Sequence, residues 1–119
     1  MLPSTHRQPY QEFKHALEQM LHTIVAIDLE KLILRDKCQE LQKLFKNQIT
    51  PLSADDLIGE SASRWQSLQT ELYKQMRLLE TDVMMLQAAR SSATAQTRVM
   101  GICARIKTLI QYCDALLQL

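Results

Sequence analysis

Glycine and proline are scarce in this chain, two and three in 119 residues. An all-β protein draws on both for its frequent turns, so that class is excluded. Aromatic residues make up only 5%, and any core has to be built mostly from Leu, Ile, Val and Met. Charge of one sign is also missing: the formal net charge is +1. Residues 1 to 58 carry seven Lys/Arg against eight Asp/Glu, and residues 59 to 119 carry seven against five. Neither half offers the electrostatic footprint of a nucleic-acid or anionic-membrane binder. Long apolar runs are absent too. The longest, such as Ile24 to Ile27 and Val83 to Leu86, fall far short of the roughly 20 residues a membrane span needs. The opening MLPSTHRQPYQEF has no apolar core for a signal peptide. Cys38, Cys103 and Cys113 make an odd count with no Cys-x-x-Cys spacing. All three fall at apolar periodic positions, where a thiol behaves as a small hydrophobe. They read as reduced core cysteines, and the protein as cytoplasmic with no membrane insertion.

What is present is helical periodicity. A hydrophobic fraction of 46% supports one core and a single domain over residues 1–119. The stretch Trp65 to Arg90 organises the rest, running without glycine or proline. Trp65, Leu68, Leu72, Met76, Leu79, Val83 and Leu86 recur at steps of three and four, one face of an α-helix. A helix from about Ser61 to Arg90 would be roughly 45 Å long at about 1.5 Å per residue.

Around it, Tyr10, Phe13, Leu17, Met20, Leu21 and Ile24 set a first helix that has Pro9 in its first turn and ends near Ala26 or Ile27. Ser4 or Thr5 caps a short lead-in before it. Asp28 has the character of a cap for a second helix carrying Leu34, Cys38, Leu41, Leu44 and Phe45 to Gln48 or Ile49. A break there is favoured over one continuous helix, because the stripe changes phase between Ile27 and Leu34. TPLSADDLIGE at 50–60 is a linker: Thr50 precedes a proline, Ser53 and Asp56 suit a single capped turn, and Gly59 punctuates its end. A fourth helix follows SSAT, capped by Thr94, with Val99, Ile102, Ile106, Leu109, Cys113 and Leu116 in a strict seam. Such a seam suits near-antiparallel packing, and it also allows a structural homodimer. Gly101 inside it either lets two helices approach closely or has no role. The expected fold is all-α: an antiparallel up-down-up-down four-helix bundle with a long third helix.

Little in the chain suggests catalysis. Glu12 and His15 form Glu-x-x-His on one helix face, as a carboxylate-bridged di-iron bundle requires. His6, His15 and His22 are the only histidines, so no second such pair exists. A metal-binding or enzymatic bundle using Glu12, His15 and His22 is the alternative reading, and a solvated polar face is favoured over it. Cys38 falls between Lys37 and Gln39 at an apolar periodic position with no identifiable activating group, and there is no Gly-rich phosphate loop. The expectation is a non-enzymatic chain with no cofactor.

One feature exceeds a simple bundle helix. Leu78 and Met85, one heptad apart, project from the side of the third helix nearly opposite its stripe, while Tyr73 and Met84 lie on a flank. A helix apolar on several sides is usually buried on several sides. Either flanking helices or the 50–60 linker cover these residues, or they form a partner-binding or self-association surface. The adaptable thioether of methionine suits the second.

The block LYKQMRLLETDVMMLQAAR at 72–90, with RIKTLIQYCDALL at 105–117 and the opening HRQPYQEFKHALEQM at 6–20, resembles the cyanobacterial PatD family of heterocyst frequency control proteins. The matching positions are mostly helix-packing residues and none is catalytic. The resemblance implies a small cytoplasmic regulator of heterocyst differentiation frequency. It further implies action by binding the cell-division GTPase FtsZ and modulating its filament assembly.

Overall fold

The computed structural model describes residues 2–26, 31–55 and 57–119, without the side chains of residues 25 and 26. Four helices account for most of them: α1 (Ser4–Ala26), α2 (Lys31–Leu44), α3 (Glu60–Ala88) and α4 (Ser92–Leu117). No strand occurs among the described residues. A π-helical turn, Phe45–Ile49, continues α2. Neighbouring helices pack around a ring, α1 on α2, α2 on α3, α3 on α4, and α4 back on α1. The body measures 50 × 20 × 19 Å, little longer than its longest helix.

The apolar stripes meet in one continuous core. Leu72, Leu79, Val83, Ile102, Ile106 and Leu109, the residues expected between the third and fourth helices, are all buried. The α4 seam from Ile102 through Ile106, Leu109 and Cys113 to Leu116 faces this core, so it packs within the chain. Gly101 is exposed, and a Cβ added there would meet nothing within 4 Å. It therefore mediates no close helix approach.

Several boundaries differ from expectation. The helix expected to hold Pro9 in its first turn instead starts at Ser4, which puts Pro9 in the second turn of α1. The first turn is anchored from outside: Leu2 N–H donates to the Leu119 carbonyl at 2.6 Å, and the Pro3 carbonyl accepts from the N–H groups of His6 and Arg7 at 3.0 Å. Those tertiary and local bonds hold the turn before the proline, which has no N–H to close on the Thr5 carbonyl. The cap of α4 is Ser91, not Thr94: Ser91 Oγ accepts from Thr94 N–H at 3.1 Å. Gly59 does open α3, as its N-cap, at φ +64, a region that favours glycine. The expected cap at Asp28 and the pairing of Ser53 with Asp56 lie outside the described residues. On α3, Leu68 is only half-buried, and Gln69 takes the inward position beside it.

Candidate interaction surface

One end of the bundle is fastened by side chains that capture the carbonyls of the linker. Residues outside helices and sheets have no backbone ladder, so their carbonyls need other donors when covered. Gln69 Nε2 donates to the Ile49 carbonyl at 3.2 Å, and Tyr73 Oη to the Thr50 carbonyl at 3.3 Å. His6 Nε2 lies 2.7 Å from the Ser53 carbonyl, which can only accept, so the proton is on Nε2. Nδ1 is then free to accept from the Thr5 hydroxyl at 3.3 Å. Behind these bonds, Trp65 Nε1 donates to Tyr10 Oη at 2.8 Å, and that hydroxyl donates to Gln69 Oε1 at 2.6 Å. His6 is 3% exposed and Gln69 5%, and the His6 ring stands edge-on to Trp65 at 5.7 Å. No buried side-chain polar atom among the described residues lacks a partner. A fully satisfied network of this kind rigidifies what it joins. Here it joins α1, the linker and α3, and presents the outer face of α3 on a firm base.

That outer face is mixed. Met84 is 67% exposed and Met85 45%, while Leu78 is half-buried. Neighbouring helices and the linker therefore leave both methionines uncovered. Leu78 shares a shallow depression on the helix surface with Thr70, Tyr73, Lys74 and Arg77. Tyr73 and Arg77 also line a second depression, which crosses to the π-turn and reaches Lys46 and Glu80. Tyr73 is seated edge-on against Phe45 at 5.2 Å, and Phe45 in turn stacks at a tilt on Phe13, also at 5.2 Å. The π-turn fixes this arrangement. Phe45 and Ile49 face inward and Lys46 outward across it, with Thr50 N–H closing on the Phe45 carbonyl at 3.0 Å.

Glu12, His15 and His22 are exposed on α1. Glu12 and His15 border one open depression, and Glu12 Oε1 accepts from Gln8 Nε2 at 3.1 Å. Among the described residues, no three His, Cys, Asp or Glu side chains converge as a metal-binding group. The cysteines are free thiols. Burial pushes Cys38 up to about 11, with Glu80 adding to it, and Cys113 up to about 12, with Asp114 adding. Cys103 departs from the expected core position: it is half-buried on the flank of α4, and its partial burial raises its thiol as well. Such thiols are poor nucleophiles.

No protein family, no curated protein and no solved structure was found to match the chain. The residues themselves carry the functional argument. His6, Gln69 and Lys46 escaped the reading of periodicity. The one available signal was Gln69, a polar residue four after Trp65 and three before Leu72 on the inward face of α3. His6 and Lys46 gave none, because their surroundings come from elements distant in sequence.

Proposed function

We propose that this chain is a non-enzymatic protein-interaction module that binds a larger partner through the outer face of α3, centred on Leu78 and Met85. The observation that carries this reading is exposed Met85, one heptad beyond half-buried Leu78 on a helix whose opposite face is already buried, with Met84 exposed on the adjoining flank. Adjacent exposed apolar side chains are a common mark of a binding surface, and methionine adapts to the shape it meets. We read the scaffold as an up-down-up-down bundle. The Leu2–Leu119 bond joins the two chain termini at one end, and Lys31 Nζ donating to the Ala89 carbonyl at 2.6 Å joins the start of α2 to the end of α3, in support of that reading.

The resemblance to the PatD family names the partner to test, FtsZ, and the process, control of heterocyst frequency in cyanobacteria. A shallow surface of this sort suits affinity of about micromolar, or about −8 kcal/mol. The test is sedimentation of GTP-dependent FtsZ filaments with wild type and with the Leu78→Asp, Met85→Asp double variant. Wild type is expected to co-sediment and to alter the polymer yield. The double variant should keep its helical signal and cooperative melting yet lose the effect, since unpaired carboxylates buried at an interface cost several kcal/mol. A full effect from the folded double variant would put the surface elsewhere. No co-sedimentation of wild type would remove FtsZ.

A further inference from the structure

We propose that the depression between the π-turn and the middle of α3 docks an acidic peptide segment of the partner, with carboxylates on Lys46, Lys74 and Arg77 and an apolar side chain on Leu78. The inference rests on the interaction reading above and adds the chemistry of the partner. Lys46, Lys74 and Arg77 are exposed and line two adjoining depressions that share Tyr73 and Arg77. None of the three is among the ion pairs the described residues form, which are Lys14–Asp114, Arg35–Asp36, Lys37–Glu40 and Arg105–Asp82. The one acid lining either depression is Glu80, on the far side from Leu78. The local excess is therefore cationic on a chain whose net charge is only +1.

Position reinforces charge. Thr70, Tyr73, Lys74, Arg77 and Leu78 follow one another at helical spacing on a single face, so an extended or helical segment laid along α3 meets cations and Leu78 in sequence. Met84 and Met85 continue that line towards the end of the helix. Tyr73 is braced by Phe45 and by its bond to the Thr50 carbonyl, so its exposed edge forms a fixed wall. The π-turn that positions Lys46 is a backbone feature found often at functional sites. A protein segment fits better than nucleic acid, because the site has one half-buried aromatic and three cations, with no stacking platform or long basic track.

The experiment is selection of a random-peptide phage library on the immobilised wild-type protein, followed by synthesis of the enriched peptides. Enrichment of sequences joining Asp or Glu to Leu, Ile or Phe is expected, with binding that weakens as salt is raised. Affinity for those peptides should fall roughly tenfold or more in the Lys74→Glu, Arg77→Glu double variant, and also in Lys46→Glu, which changes a different element. Circular dichroism and melting should stay as in wild type, because all three side chains are exposed. Failure to enrich acidic peptides, or binding by both variants as tight as by wild type, overturns the proposal. Tighter binding of single-stranded DNA or of anionic phosphatidylglycerol vesicles at the same residues overturns the choice of a protein partner. The two readings separate in the FtsZ sedimentation assay. Loss with Leu78→Asp, Met85→Asp but not with the charge variants leaves the interaction surface standing and removes the acidic-peptide inference. Selected peptides bound at the cations, with no effect on FtsZ, do the reverse for the named partner.

Discussion

The two ends of the bundle are joined by different chemistry. At the end that holds both termini, six side chains from α1 and α3 bond to one another and to the carbonyls of Ile49, Thr50 and Ser53. At the other, two reciprocal bonds tie α2 to α3: Lys31 Nζ to the Ala89 carbonyl at 2.6 Å and Gln87 Nε2 to the Lys31 carbonyl at 2.8 Å. The first arrangement has a buried, mutually dependent centre in the Trp65–Tyr10–Gln69 chain and its bond to the Ile49 carbonyl, so losing one member there strands others. The second is partly open to water, which can replace either bond. A single polar bond therefore has unequal structural weight at the two ends, and the difference is burial.

Three measurements sharpen that contrast. The largest effect is expected midway, where neither end dominates. Leu79→Ala or Ile106→Ala removes a fully buried side chain from the α3–α4 contact and should cost about 2–5 kcal/mol in urea unfolding, releasing both ends together. A loss below roughly 1 kcal/mol for both would mean the ends fold independently of this core.

Next in size is the comparison of the two glutamines. Gln69→Ala leaves the buried Tyr10 O–H without its acceptor and removes one of the two donors to the Ile49 carbonyl, which keeps its bond from Leu52 N–H, and should cost about 2–3 kcal/mol. Gln87→Ala, at the wetter end, should cost less than about 1 kcal/mol. Amide hydrogen exchange over residues 50–55 should quicken in the first variant and not in the second. Equal costs would erase the distinction between the ends.

The smallest effect near neutral pH is that of the buried titrating groups. Cys38 and Cys113 have folded values of about 11 and about 12 against an ordinary 9.0, and burial also raises the Tyr10 hydroxyl despite its bond from Trp65. The folded state thus holds these protons more tightly than the unfolded state does. Their contribution is fully present below about pH 9, and stability falls as pH rises from there through the folded values, by up to about 1.4 kcal/mol per pH unit for each group. Urea midpoints at about pH 8 and about pH 10.5 measure the fall, and Cys113→Ala should make it shallower. In the native protein at neutral pH, half-buried Cys103 should be alkylated before Cys38 or Cys113.

Much of the fold is readable because helical periodicity is a local property. The strict series in α4, from Ile102 to Leu116, identifies its buried face without knowledge of what covers it. Glycine at position 59 marks the start of α3 for an equally local reason, its positive φ. The site was half legible. A helical wheel places Leu78 and Met85 away from the main stripe, but whether another element covers them depends on where α2, α4 and the linker pack.

Local sequence determined four amphipathic helices, their inward residues and a linker near residue 50, since spacing, caps and breakers act over a few residues. Only the tertiary structure decided that His6 would be buried, what would satisfy Gln69, and that Lys46 would share a depression with Arg77. Tyr10 meets Trp65 across 55 residues and Gln69 across 59, and His6 meets Ser53 across 47. A polar side chain's burial is set by the partner that satisfies it, and partners so distant along the chain leave no periodic trace in the sequence.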